Sequence, residues 1–212
     1  MRDRVVGLVL FLPVPIVLWL FTRLPLGVGT SLAIGALLVV THRLYARPFA
    51  LAGAERRCLW CGAATPDGTV VTIAEPLGPT RWRACVGGHA DALARVLGFA
   101  ERHALALRVG ILGTLALFLP AALLGDARRL GALTALDATA FFRLGIALTV
   151  LPLGWLGERR GRAPATAARV PFPVHIQALI GTRVVLWLFR LVGLLWLVMG
   201  TRHFAARAGV WS

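Results

Sequence analysis

Five stretches of the chain are apolar over a length near the thickness of a bilayer, and this limits the fold more than any other feature. A helix rises 1.5 Å per residue and the hydrocarbon core is about 30 Å thick, so roughly 17–25 apolar residues are needed to cross. Residues 5–21, 26–40, 104–124, 138–156 and 176–199 fit or approach that length. The first run carries Pro13 and Pro15, which membrane helices tolerate with a kink. It runs too soon into the second, and lacks a small-x-small cleavage site, so it does not read as a cleaved signal peptide. The four-residue link at 22–25 predicts that the first two runs form a hairpin. The second run is short, and Arg43 could snorkel to extend it. Trp19, Trp155 and Trp196 fall towards run ends, as interfacial anchors do.

Composition agrees with a membrane reading. Hydrophobic residues make up 58% and charged residues 15%, against about a quarter charged in soluble domains. There is no lysine, so all 23 basic side chains are arginine, and the formal net charge is +14. Such a charge raises nucleic acid as a partner, but the arginines must first be placed against the apolar runs. Fourteen fall on the side of the N-terminus and the two long polar loops, five on the other side, and four within runs. The excess predicts a cytoplasmic N-terminus and cytoplasmic polar loops, with the C-terminus outside. The basic charge then serves topology and contact with anionic lipids, and nucleic acid is unlikely as a partner. The Ala, Arg and Gly bias suggests a GC-rich genome, which bears on codons rather than function. The expected location is a bacterial inner (plasma) membrane.

All three cysteines lie in the loop between the second and third runs. The pattern is Cys58-x2-Cys61, then 23 residues, then Cys85-x3-His89. A reducing cytoplasm disfavours a structural disulfide there. Thiolate and imidazole are the preferred ligands of tetrahedral zinc, and two cysteines separated by two residues span one edge of it. Gly62 permits a sharp turn after the pair. Cys85 and His89, spaced i and i+4, would share one face if a helix begins there. A CxxC redox pair would leave Cys85 and His89 unexplained and expects a βαβ context that is missing. Haem attachment needs histidine directly after the second cysteine. Small unligated core cysteines are the remaining alternative.

The residues between the pairs read as a β-hairpin. "TVVTIA" (69–74) is β-branched, "EPLGP" (75–79) is a turn, and "TRWRA" (80–84) returns. After Cys85, Leu93, Val96, Leu97 and Ala100 recur at helical spacing. A knuckle, a hairpin and then a helix resemble the treble-clef zinc finger over about residues 55–102. The resemblance implies a structural Zn2+ held by Cys58, Cys61, Cys85 and His89. It does not specify a partner.

The fifth run carries a second candidate site. His175, Thr182, Arg183 and Arg190 would fall within about 80° on one helix. Arg190 is near mid-run, where a charge costs at least about 2.5 kcal/mol. No Asp or Glu lies within any of the five runs, so no intramembrane carboxylate partner is expected. Arg190 could instead bond backbone carbonyls at a helix interface, or meet an anionic ligand or another subunit. His42 and His103 could face each other as haem ligands, although capping histidines are commoner. The chain has no G-x-S-x-G, no H-E-x-x-H and no glycine-rich phosphate loop, so enzyme chemistry is poorly supplied.

The expected fold is an all-α polytopic membrane protein of about five transmembrane helices, with a small α+β zinc-finger domain between helices 2 and 3. The expected units are a hairpin over 1–45, the finger over 46–103, helices 3 and 4 over 104–157, a basic loop over 158–175, helix 5 over 176–200 and a tail over 201–212. The expected function is an accessory or assembly subunit of a larger membrane complex, docking other subunits through the finger. The alternative is a membrane enzyme or lipid- or ligand-binding protein using the His175, Arg183 and Arg190 face.

Overall fold

The computed structural model describes residues 2–23, 28–65, 67–75, 78–126, 134–160, 168–172 and 174–210. The chain is mostly helical with one small sheet. Two described helices are long and apolar enough to cross a membrane. They lie in α7 (Ala135–Arg160) and α9 (Thr182–Arg207), with mean hydropathies of 1.6 and 2.0 over their spanning parts. A third qualifies if α5 (Gly88–Arg102) and α6 (Ala104–Asp126), bent by 68° at their junction, are taken together.

Among the described residues two spans are supported, or three with the bent pair, and the expectation of five is not. The first run divides into α1 (Arg2–Phe11) and α2 (Pro13–Arg23). Helical bonds still cross the break, from Leu12 N–H to Leu8 and from Ile16 N–H to Leu12. Pro13 and Pro15 supply no N–H, so the ladder is thinned there. Its apolar part, Val5–Val17, is too short to count as a span. The second run forms α3 (Val28–Thr41), 14 residues or about 21 Å long. A π-helical turn (His42–Ala46) and α4 (Arg47–Ala52) follow it. Of the hairpin link expected at 22–25, Thr22 and Arg23 end α2, and residues 24 and 25 lie outside the described residues.

The fifth run is cut at Gly181, whose φ of +94° no other residue type adopts readily. It yields α8 (His175–Ile180) and then α9. α9 runs antiparallel to α7, since Gly154 meets Arg190 near one end and Asp137 meets His203 at the other. α6 packs antiparallel on α7 through a reciprocal pair of small residues. A Cβ on Gly110 would lie 2.3 Å from Thr149 Oγ1, and one on Gly145 would lie 2.3 Å from Thr114 Oγ1. Each threonine donates back to the carbonyl four residues earlier, so neither hydroxyl is left unpaired in an apolar setting. Close contact at small residues is how helices associate where lipid removes the hydrophobic drive. Trp196 is buried against Phe142 beside Phe118 rather than anchored at an interface.

The sheet has strand order β2-β1-β3. β1 (Thr69–Glu75) and β2 (Gly78–Ala84) form the expected hairpin, with Thr69 opposite Ala84 and Glu75 opposite Gly78. β3 (Ala168–Arg169), from the basic loop, pairs parallel to β1 and was not expected from sequence. Ile73 and Trp82 point from the hairpin onto Leu93, Val96 and Leu97 of α5, all essentially fully buried. The periodic face of α5 is therefore the buried one. This core continues into Leu107 of α6, Leu153 of α7 and Leu186 of α9. The segment that carries the Cys3His cluster is thus packed onto the long apolar helices through a shared core.

Candidate metal centre

Cys58, Cys61, Cys85 and His89 converge, with one donor atom from each lying within 4.8 Å of the others. A tetrahedron with metal–sulfur bonds of about 2.3 Å has edges of about 3.8 Å, so the four donors fit one ion with little adjustment. Cys58 Sγ and His89 Nδ1 are 3.9 Å apart. All three cysteines are free thiols.

The backbone makes this convergence local and cheap. In the knuckle, Cys58 N–H donates to Ala63 O and Gly62 N–H to Cys58 O, both at 2.7 Å. Gly62 closes that turn with φ +70°. Leu59 N–H donates to Arg83 O at 2.7 Å, which fixes the knuckle to β2. β2 ends at Ala84, so Cys85 arrives beside Cys58, and its N–H lies 3.3 Å from the Cys58 sulfur. The sequence expectation needs one adjustment. Cys85 does not ride on the helix but precedes it by three residues, with Gly87 (φ +79°) as the entry; only His89 lies in the first turn of α5.

Electrostatics favour a cation. Burial works to raise the Cys58 thiol, but hydrogen bonds from the Cys85 and Cys61 backbone bring it below its ordinary value. Burial raises Cys61 to about 11, with further contributions from the neighbouring Cys58 and Cys85. Three sulfurs this close cannot all ionise without a positive charge among them, which a metal ion at this site would supply.

The centre is also fastened to α9. Thr182 N–H donates to Leu59 O at 2.9 Å and Arg183 N–H to Trp60 O at 3.0 Å. The Thr182 hydroxyl donates to Leu59 O at 3.0 Å. The first amides of any helix lack partners within it. Here the knuckle carbonyls between the first two ligands provide them. A Cβ on Gly181 would lie 3.0 Å from Trp60 O, so glycine is required for this approach as well as for its φ.

The second predicted site is dispersed. The break at Gly181 puts His175 on α8, while Thr182, Arg183 and Arg190 stay on α9, so the four do not lie on one continuous helix. Thr182 caps the knuckle contact and Arg183 is exposed. Arg190 donates from Nε to Gly154 O at 2.6 Å and lies 3.7 Å from Glu158, over the rings of Trp187 and Trp155. The expected lack of a carboxylate partner is corrected: Glu158 lies two residues past the fourth run, within reach of the arginine. Arg190→Leu should still insert, but should weaken the α7–α9 contact by about 1 kcal/mol, since Glu158 is partly exposed and screened. A melt in mild detergent that matches wild type would show the contact to be idle.

His175 is buried and faces His42, not His103; His42 Nδ1 and His175 Nε2 are 3.5 Å apart. His103 stacks on Phe99 instead, so no His42–His103 haem site forms. Burial, then the neighbouring His42 and Arg47, lower the His175 pKa from 6.5 to about 4. The unfolded chain takes up this proton more readily, so stability should be full above about pH 6.5 and fall as pH drops towards about 4. The loss of melting temperature between pH 7.5 and 5 should be smaller in His175→Phe. An equal loss in both proteins would place the sensitivity elsewhere.

A buried carboxylate escaped the sequence reading. Asp137, at the first turn of α7, accepts from Thr134 N–H at 2.7 Å, meets His203 Nε2 at 2.8 Å and pairs with Arg207. It ties the start of α7 to the end of α9, at the far end of the helix pair from the metal centre.

No protein-family model, curated protein or solved structure matches this chain. Its function must be argued from the residues themselves.

Proposed function

We propose that the chain is a multi-pass protein of a bacterial inner membrane whose Cys3His centre holds a structural Zn2+. We read it as an accessory or assembly subunit, with the finger as its docking module. The observation that carries this reading is the closed donor set. Four protein donors this close would complete a tetrahedron around one ion and leave no position for a substrate or an activated water. Knuckle bonds to Thr182 and Arg183 then make the metal a brace between the finger and a membrane helix. Val70 and Val86, exposed on the finger at 55% and 75%, offer apolar side chains that a partner could cover. The rival reading, a ligand site on the His175, Arg183 and Arg190 face, has less support, because His175 meets His42 and Arg190 meets Gly154 on α7.

The test is copurification from native membranes in mild detergent. A partner retained by the wild type and lost in Val86→Asp, with metal content unchanged, supports docking through the finger. A chain that runs alone from native extracts contradicts it.

Orientation follows from the arginine excess near the finger. Counting the bent α5–α6 pair as one crossing, with α7 and α9 there are three crossings after the knuckle and hairpin, an odd number whatever the N-terminal helices do. A reporter fused after Ser212 should therefore read outside and one inserted near Asp67 inside. Reporters on one side would remove α6 from the set of spans.

A further inference from the structure

We propose that the wedge between the α5–α6 bend and α7 binds one anionic glycerophospholipid, with its phosphate at Arg102 and Arg160 and an acyl chain in the apolar floor. The wedge exists because the chain turns by 68° around His103, which holds the start of α6 away from the end of α7. It encloses about 570 Å³, a size that suits a small-molecule site.

The chemistry of its walls is graded. Leu148, Pro152, Leu156 and Arg160 line it from α7 at four-residue spacing, so they form one helical stripe that is apolar until its last member. Leu107 closes the floor. At the mouth stand Arg102, His103 and Arg160, all exposed, and no Asp or Glu is among the lining residues. Arg102 is held in place, donating from Nη2 to Arg160 O at 2.9 Å and from Nε to Gly98 O at 3.2 Å. Both arginines therefore sit at the end of α7 where the apolar stripe stops.

The wedge opens onto surface that faces lipid in a membrane, since Leu148 is 63% exposed and Leu105 beside it 76%. A cationic mouth above an apolar floor, level with the membrane boundary, matches a phosphate joined to an acyl chain. A soluble anion would leave the floor empty, and a zwitterionic lipid would leave the two arginines less well neutralised. Basic pockets between helices on the cytoplasmic side are known to select anionic head groups.

The experiment uses the full chain, purified in neutral detergent and delipidated, with lipid binding read by native mass spectrometry. Phosphatidylglycerol and phosphatidylethanolamine with identical acyl chains are compared. One phosphatidylglycerol per chain should bind at least about tenfold more tightly. Arg102→Gln with Arg160→Gln should bring it to the phosphatidylethanolamine level without loss of bound metal. Ala106→Trp, which fills the wedge and keeps the charge, should weaken both lipids. If the double variant does not fold, the wild type still decides: rising salt should release phosphatidylglycerol selectively. Equal binding of the two lipids, a preference that survives the double variant, or displacement of the lipid by inorganic phosphate would overturn the proposal. The last result would assign the mouth to a free anion.

Discussion

Cys58→Ser is expected to empty the metal centre and, at a distance, to loosen the first turn of α9. Cys58 is the most buried of the four ligands, and its carbonyl closes the knuckle turn through Gly62 N–H. Without the ion, the thiolates that remain repel one another and the knuckle loses its fixed shape. The carbonyls of Leu59 and Trp60 then no longer meet Thr182 and Arg183 reliably. Two backbone bonds at about 1 kcal/mol each correspond to at least about a tenfold rise in local amide exchange. Hydrogen exchange should therefore rise at Thr182 and Arg183 as well as in the finger, while the middle of α9 stays protected. His89→Ala should act alike, because it opens the same tetrahedron from the helix side. A redox pair would behave differently, with both CxxC cysteines essential and His89 dispensable. Exchange confined to the finger would show that the knuckle does not brace the membrane helix.

Asp137→Ala should be the most damaging change at the opposite end. The carboxylate is buried and receives a backbone amide, a hydroxyl, a histidine and an arginine. Its removal takes the anion away from His203 and Arg207 and leaves Thr134 N–H, just ahead of α7, without its carboxylate acceptor. Breaking such a buried set costs about 3–5 kcal/mol, and the partial exposure of both partners lowers the expected loss to about 2–4 kcal/mol. Asp137→Asn keeps the shape and should cost less. Thermal melts in detergent measure this, with bound metal unchanged because the centre lies at the far end. A wild-type melt for Asp137→Ala would remove the clasp from the account.

The convergence of the four candidate metal ligands was legible because its signal is local. Cys58, Cys61, Cys85 and His89 are spaced by turn geometry, and the hairpin between them is written in β-branched residues and a Pro-Gly turn. The buried stripe of α5 was legible for the same reason, since its period is set within four turns. The number of spans was less so. Hydropathy counts apolar residues but is blind to where a helix breaks, and both Leu12 and Gly181 interrupt apolar runs. β3 is two residues of an Ala- and Arg-rich loop whose pairing depends on a strand almost a hundred residues earlier. Glu158 and Asp137 were overlooked because each sits just beyond a run, where a side chain can reach inward. His42 and His175 carry no spacing signal at all, being 133 residues apart.

The central claim is that one metal ion joins the finger to the membrane helices, and the full chain tests it most directly. Metal analysis with X-ray absorption at the zinc edge should find about one zinc per chain, with three sulfurs near 2.3 Å and one nitrogen near 2.0 Å. A chain purified without chelators that holds no metal, or that carries a Cys58–Cys61 disulfide in the cell, would contradict it.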